Sequence, residues 1–409
     1  MDRAVNPYSP GAGVRPPALV GRTKQIEDAD VALRRHLAGR HAKGMMLTGL
    51  RGVGKTVLLA EFGRRAAALG YLHEHLEADE HAKLSAAMGT LLRKVLLRLN
   101  AKHLRSSYVR EALGVLKGFT IYWNPLPGLV IDGPPISGPA DSGDLAVDVC
   151  GLLCEVGKAA QAHRTGVFLT IDEIQYLERG DFGALVLGLH RAAQLSLPVM
   201  IAGAGLPSLL ALAGEAKSYA ERMFDFPSIG SLAVPEAGEA IAAPAAKEGV
   251  QWEDPAIQMV VERTQGHPYF LQEFAKQAWD AAPGPVHIRL SDVKASLETT
   301  MAELDAGFFR VRFDRTTDAE RAYLRAMASL GPGPFATSAV AKVLGRTTNQ
   351  VGPVRDGLIK RGLCYAPRWG QIAFTQIPAR PVDAPGFSRG TGARLPSLFA
   401  CSERAILWT

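Results

Sequence analysis

Apolar residues fall along this chain in two rhythms. Short continuous runs, Met45-Met46-Leu47, Val167-Phe168-Leu169-Thr170-Ile171 and Val199-Met200-Ile201-Ala202, predict buried parallel strands. Tyr71–Leu76 alternates enough to add a second strand, and Phe226-Pro227-Ser228-Ile229 predicts a fifth. Helical spacing over 23–37, 54–69, 80–104 and 144–164 lies between them, with Leu91, Leu92, Val95, Leu96 and Leu99 forming one stripe. Strands alternating with helices predict an α/β domain with an open, mainly parallel five-stranded sheet.

The rhythm changes twice. Between 105 and 143, Phe119-Thr120-Ile121-Tyr122-Trp123 and Leu129-Val130-Ile131 flank Asn124–Gly128 as in a hairpin, which predicts an insertion on the α/β domain. From Pro235 the pattern is helical, with separate helices over 236–248, 255–264 and 268–282. Residues 317–330 and 337–344 predict two more. A third runs through Val351, Val354, Leu358 and Ile359 to Arg361, before two short strands on either side of Arg368-Trp369. Gly352-Pro353 is awkward inside that third helix, because proline removes a helical bond outside the first turn; the helix is expected to start late or to be remodelled at its exposed end. The expected domains are an extended arm over 1–19, an α/β domain over 20–232, a helical domain over 233–310, a helix-plus-hairpin domain over 311–377 and a divergent tail over 378–409.

Composition narrows the class. The 409 residues are 47% hydrophobic and 21% charged, ordinary for a soluble globular protein of two or three domains. A net charge of +6 permits nucleic acid as a partner without requiring it. Cys150, Cys154, Cys364 and Cys401 make no disulfide ladder and predict core thiols in a reducing cytoplasm. The uncharged stretch from Gln194 to Gly214 is cut by Pro198, Gly203, Gly205 and Pro207, so no membrane span is expected. His73 and His75 share one strand face, yet no third ligand stands at a metal-like spacing, which favours solvated or packed histidines over a metal site.

The candidate chemistry centres on residues 49–56, Gly-Leu-Arg-Gly-Val-Gly-Lys-Thr, between the first strand and the helix from about 54. Glycines at 49, 52 and 54 free the backbone to turn successive N–H groups inward, and the helix start adds its positive dipole end. This G-x-x-x-x-G-K-T spacing predicts a phosphate site. Gly49, Gly52, Val53, Gly54, Lys55, Thr56 and Val57 would hold ATP, Lys55 would reach the β- and γ-phosphates, and the Thr56 hydroxyl would bind Mg²⁺. The strand 166–171 ends in Asp172-Glu173. Asp172 at a strand's C-terminal end can complete the metal shell, and Glu173 beside it can polarise the attacking water.

These motifs, with Leu19-Val20-Gly21-Arg22 ahead of them, resemble AAA+ and signal-transducing (STAND) ATPases of the archaeal-type and origin-recognition-like group. The resemblance covers roughly residues 6–377. It implies a P-loop NTPase sheet, a helical lid and a C-terminal winged helix, with Gly21 and Arg22 against the adenine. Gln265-Gly266-His267-Pro268 resembles the family's Gly-x-Pro signature, which implies nucleotide contact by His267 and Pro268; a helix terminator followed by a first-turn proline reads equally as plain structure. Tyr219–Phe224 resembles the segment that offers an arginine to a neighbouring nucleotide, making Arg222 a candidate catalytic finger, with a surface ion pair as the alternative. Relatives carry a polar side chain where this chain has Ala204, which implies slow hydrolysis.

The expected function is therefore a cytoplasmic ATPase, a nucleotide-controlled switch gating duplex DNA through residues 346–368, or gating a protein partner or self-association. Arg346, Thr347, Thr348, Asn349, Gln350, Arg355, Lys360, Arg361 and Arg368 would furnish phosphate and base-edge contacts. Two other classes stay open: a P-loop kinase acting on a small molecule, and a nucleotide-binding scaffold with negligible turnover.

Overall fold

The structure, a computed structural model, describes residues 1–79, 83–102, 106–123, 134–216, 220–304, 306, 313–331 and 333–374. It divides into two compact units, one of residues 22–49 and 55–229, the other of residues 1–21, 50–54 and 230 onward.

The first unit is built on five strands, β1 (Gly44–Thr48), β2 (Leu72–Glu77), β3 (Val167–Asp172), β4 (Val199–Gly205) and β5 (Phe224–Asp225). Their order in the sheet is β2-β3-β4-β1-β5, and every pairing is parallel. β1, β3 and β4 are buried at every position, which is why their sequences run apolar without alternation. The fifth strand pairs with β1 two residues earlier than expected, Gly44 opposite Phe224 and Met45 opposite Asp225. Pro227 explains the shift: it has no N–H for a ladder, and only its carbonyl is used, accepting from the Thr48 N–H at 3.0 Å. Of the expected 226–229 strand, a bridge between Thr48 and Ser228 remains.

Helices Thr23–Leu37, Lys55–Ala68, Leu145–Ala162 and Arg179–Gln194 accompany the sheet. Glycines set the closest approaches. A Cβ on Gly63 would lie 2.2 Å from the His73 ring, and one on Gly188 would lie 2.8 Å from Leu153.

The hairpin expected in the 105–143 insertion is not formed by its first arm. Ser107–Trp123 is a helix that buries Val109, Ala112, Leu113, Leu116 and Phe119 with the preceding helix Leu84–Lys102. The 3–4 spacing of those residues overrides the strand propensity of Phe119–Trp123, because a shared core rewards the buried stripe. The other arm, Leu129–Ile131, lies outside the described residues. Asp148, wholly buried, ties the insertion's return: it accepts hydrogen bonds from Trp123 Nε1 at 2.7 Å, from the N–H and hydroxyl of Ser142 and from the Gly143 N–H.

The second unit has a helical part, Val234–Lys247, Asp254–Thr264, Pro268–Ala281 and Leu290–Leu304, with a small parallel pair, β6 (Gln251–Trp252) and β7 (His287–Ile288). The N-terminal arm is packed into it. Tyr8 lies edge-on to both Trp252 and Trp279 with ring centroids 6.3 Å away, receives a hydrogen bond from Trp252 Nε1 and donates to the Ile241 carbonyl. Asn6 bonds Asp280 at 2.8 Å, and Trp279 Nε1 donates to the Asp2 carbonyl.

The same unit contains the C-terminal module: helices Asp318–Ser329, Thr337–Val343 and Thr348–Lys360 with an antiparallel sheet of β8 (Phe335–Ala336), β9 (Cys364–Tyr365) and β10 (Gln371–Phe374), ordered β8-β10-β9. Its core is Tyr323, Leu324, Met327, Phe335, Val340, Val351, Leu358 and Ile372. The third helix does not start late. Thr347 caps it through the Gln350 N–H while Gln350 returns a bond to the Thr347 N–H, and Pro353 is carried as its sixth residue. Among the described residues no helix is long and apolar enough to cross a membrane.

Candidate functional site

The first unit brings together the lysine and threonine of the G-K-T run and the aspartate that ends β3. Lys55, 7% exposed, opens the helix Lys55–Ala68 and folds its Nζ back to the Gly49 carbonyl at 3.0 Å. Thr56 Oγ1 donates to Asp172 Oδ2 at 2.5 Å. The Gly49 N–H is tied to the Gly205 carbonyl at the end of β4. Sheet order explains the convergence: β1 and β3 flank β4, so the turn after β1 and the carboxylates after β3 open on the same edge.

Glu173 follows in left-handed backbone, φ 53°, with its N–H held by Asp172 Oδ1 at 2.8 Å. Its carboxylate receives a hydrogen bond from Gln175 Nε2, while Gln175 Oε1 accepts from the Leu206 N–H just past β4. Gln175 was missed in the sequence, where only its place two residues beyond the carboxylate pair sets it apart. It supplies a polar link between Glu173 and the end of β4, where Ala204 itself is completely buried and presents no polar group. Val57 is buried in the first turn of the helix Lys55–Ala68.

These donors fit a divalent cation. Mg²⁺ holds oxygens at 2.0–2.1 Å in an octahedron, which sets neighbouring ligand oxygens about 2.9 Å apart. Thr56 Oγ1 and Asp172 Oδ2 need to part by only a few tenths of an ångström to serve as such neighbours. His73 is half-buried and His75 exposed, and both rings bond Thr170 Oγ1, at 2.9 and 3.0 Å; burial pushes the His73 pKa down to about 4, so it is neutral.

In the second unit, loop residues 50–54 meet the start of the helix Pro268–Ala281. Gly52 has φ +77° and Gly54 φ +93°, conformations that favour glycine. Gly52 is also needed for space, since a Cβ there would lie 2.7 Å from His267 Cε1. His267 Nε2 bonds the Arg51 carbonyl at 3.0 Å, which makes Nε2 the protonated ring nitrogen, and the ring stacks on Phe270 at 4.2 Å. The Tyr269 N–H donates to the Gly52 carbonyl, a bond available because Pro268 opens the helix. His267 and Tyr269 thus bond the loop's main chain, and Pro268 stands between them in the chain. Gly21, φ +69°, approaches Glu236, and Arg22 is buried at the start of the helix Thr23–Leu37.

The other expected residues belong to other elements. Arg222 is exposed on the short helix Ala220–Met223, and Tyr219 before it falls outside the described residues. On the C-terminal module Arg346, Thr347, Thr348, Asn349, Gln350, Lys360 and Arg368 are exposed. Arg361 instead binds Glu320, and Arg355 reaches Asp356 and the Gln371 carbonyl.

Comparison with known proteins bears on the fold. Residues 18–202 match the family profile of the AAA ATPase domain, and residues 306–379 match a domain of unknown function. No curated protein matches the chain. Among solved structures, the Walker-type ATPase PABY2304 of Pyrococcus abyssi is similar at 15% identity, with 88% of this chain and 94% of that one covered and a TM-score of 0.54. The Aeropyrum pernix ORC1 protein, solved in complex with DNA, gives 17% identity, coverage of 91% and 92% and a TM-score of 0.45. The Thermotoga maritima RuvB Holliday junction branch migration motor gives 17%, 89% and 96%, and 0.45. The α/β unit has the P-loop AAA+ fold.

Proposed function

We propose that this protein is a slow ATPase, a switch in which Mg-ATP on residues 49–56 controls engagement of duplex DNA by the C-terminal module, read as a winged helix. One observation carries the reading: the Thr56 hydroxyl and the Asp172 carboxylate are in contact beside Lys55. Sheet order brings together two residues 116 positions apart in the chain, and a hydroxyl facing a carboxylate beside a lysine-bearing glycine loop is a donor set that suits magnesium bound to a triphosphate.

The roles follow from chemistry. Lys55 and the loop amides grip the phosphates, and Thr56 with Asp172 would hold Mg²⁺, which supplies charge neutralisation at the β- and γ-phosphates. Glu173 orients and deprotonates the attacking water once Gln175 releases its carboxylate. Arg222 would act on a neighbouring copy's nucleotide. Contact between loop residues 51–52 and the His267–Tyr269 helix start offers a route by which phosphate occupancy moves the lid.

A scaffold with negligible turnover is a second reading, favoured by Ala204 at the end of β4 and by the capture of Glu173 by Gln175. Phosphate release separates the two. Wild type is expected to turn over slowly, with Glu173→Gln at least a hundredfold slower while nucleotide affinity is kept. Turnover equal in the two proteins refutes the catalytic assignment. Failure to retain duplex DNA at low salt refutes the DNA half.

A further inference from the structure

The loop's arginine reaches the C-terminal module. Arg51 Nη2 donates to the Lys360 carbonyl at 3.4 Å, and its Nε is fully buried. The helix Thr348–Lys360 ends here: the Arg361 N–H bonds back to the Gly357 carbonyl, and Gly362, φ +71°, leaves the helix in left-handed backbone. Gly362 is also the opening through which Arg51 enters, for a Cβ at that position would lie 2.5 Å from Arg51 Nε and 2.6 Å from its Cδ. The guanidinium therefore sits at a helix C-terminus, where the aligned peptide dipoles leave a partial negative charge. Arg51 is held from the other side by main chain, its carbonyl bonded to His267. One residue of the phosphate loop thus joins the lid helix start through its backbone and the C-terminal module through its side chain.

We propose that Arg51 is the residue through which the C-terminal module senses nucleotide. The inference rests on the reading of residues 49–56 as a triphosphate site. A helix C-terminus offers the guanidinium about half a charge, whereas the triphosphate brings several whole ones and planar oxygen pairs that match the guanidinium fork. A triphosphate on the loop therefore competes with Lys360 and Gly362 for Arg51. Winning that competition frees the end of the helix Thr348–Lys360. The differential contact required of any ligand-driven switch is thereby identified: Arg51 binds the module when the loop is empty and phosphate when it is full. Linkage makes the effect reciprocal, so a module that cannot hold Arg51 leaves the loop a better nucleotide site.

Hydrogen exchange across residues 348–374 of the full-length protein tests this, without nucleotide and with ATPγS, alongside a separate titration with a fluorescent ATP analogue. In wild type, ATPγS is expected to speed exchange at the end of the helix about fivefold or more, the lower end of typical allosteric couplings. Arg51→Ala should exchange fast without nucleotide and show no further response. Gly362→Ala, which blocks the arginine from the module's side, should also exchange fast and should bind the analogue severalfold more tightly than wild type. A contact that was merely structural would raise exchange in Arg51→Ala yet leave the nucleotide response intact, and that result overturns the inference. Gly362→Ala binding no tighter than wild type overturns it as well. Wild type that binds no analogue refutes the triphosphate site, and this inference with it.

Discussion

Gly52 allows the loop geometry to be tested at one atom. Gly52→Ala adds a Cβ in left-handed backbone, which costs about 1 kcal/mol for a residue with a side chain. The same Cβ would lie 2.7 Å from His267 Cε1 and 3.1 Å from Tyr269 Cβ. Ordinary carbon contact begins near 3.5 Å, so the ring must retreat by most of an ångström. That retreat breaks its 3.0 Å bond to the Arg51 carbonyl, worth about another 1 kcal/mol. A penalty of about 2 kcal/mol falling on the nucleotide-ready loop weakens binding roughly thirtyfold. The assay is titration with a fluorescent ATP analogue, with Gly214→Ala as control, a helical glycine whose added methyl would meet nothing within 4 Å. The double variant Gly52→Ala with His267→Ala removes the clash but keeps the backbone strain, so it should bind better than the sum of the single effects by about fivefold. Gly52→Ala binding within twofold of wild type would refute the argument that this loop conformation is the one that grips phosphate.

Three other outcomes are expected. Asp148→Ala leaves four donors without their carboxylate and should lower unfolding stability by about 3 kcal/mol in urea titrations, with m unchanged. Burial penalises the charged form of Asp148, but the bonds from Ser142, Trp123 and Gly143 outweigh it and hold the pKa below the usual carboxylate value. A depressed folded pKa gives stability that is complete above the unfolded value and lost as pH falls through the folded one. The gap between wild type and Asp148→Asn should therefore be flat from pH 8 to 5 and narrow below about pH 4. On the module, Arg346→Ala and Arg368→Ala should each flatten the salt dependence of duplex binding by about one unit of log–log slope, read by fluorescence anisotropy; unchanged slopes place the DNA elsewhere.

How far the sequence reaches depends on how local the cause is. The glycine turn between β1 and the helix Lys55–Ala68 is legible because G-x-x-x-x-G-K-T constrains the backbone within eight consecutive residues, and β3 because a strand buried on both faces has no room for alternation. Phe119–Trp123 misleads because its aromatic and β-branched residues favour a strand, while the helix is chosen by a partner, Leu84–Lys102, that no window of neighbours contains. Pro353 misleads in the opposite sense: its missing N–H costs one bond, and the capping box at Thr347 with buried Val351 and Leu358 holds the helix regardless. Gln175 escapes notice because glutamine beside a carboxylate is common, and its meaning lies in the Leu206 N–H 31 residues away. Tyr8 reads as part of an extended arm, since nothing near it announces Trp252 and Trp279.

That tyrosine fixes an order of events during synthesis. Its hydroxyl partner Trp252 lies 244 residues downstream, so Tyr8 leaves the ribosome long before the aromatic pair that receives it exists. At about 5–20 residues per second the wait is on the order of ten to fifty seconds. The parallel-sheet unit, whose residues all emerge within that interval, is free to fold first. The helical unit closes last, when Tyr8 finally meets Trp252 and Trp279.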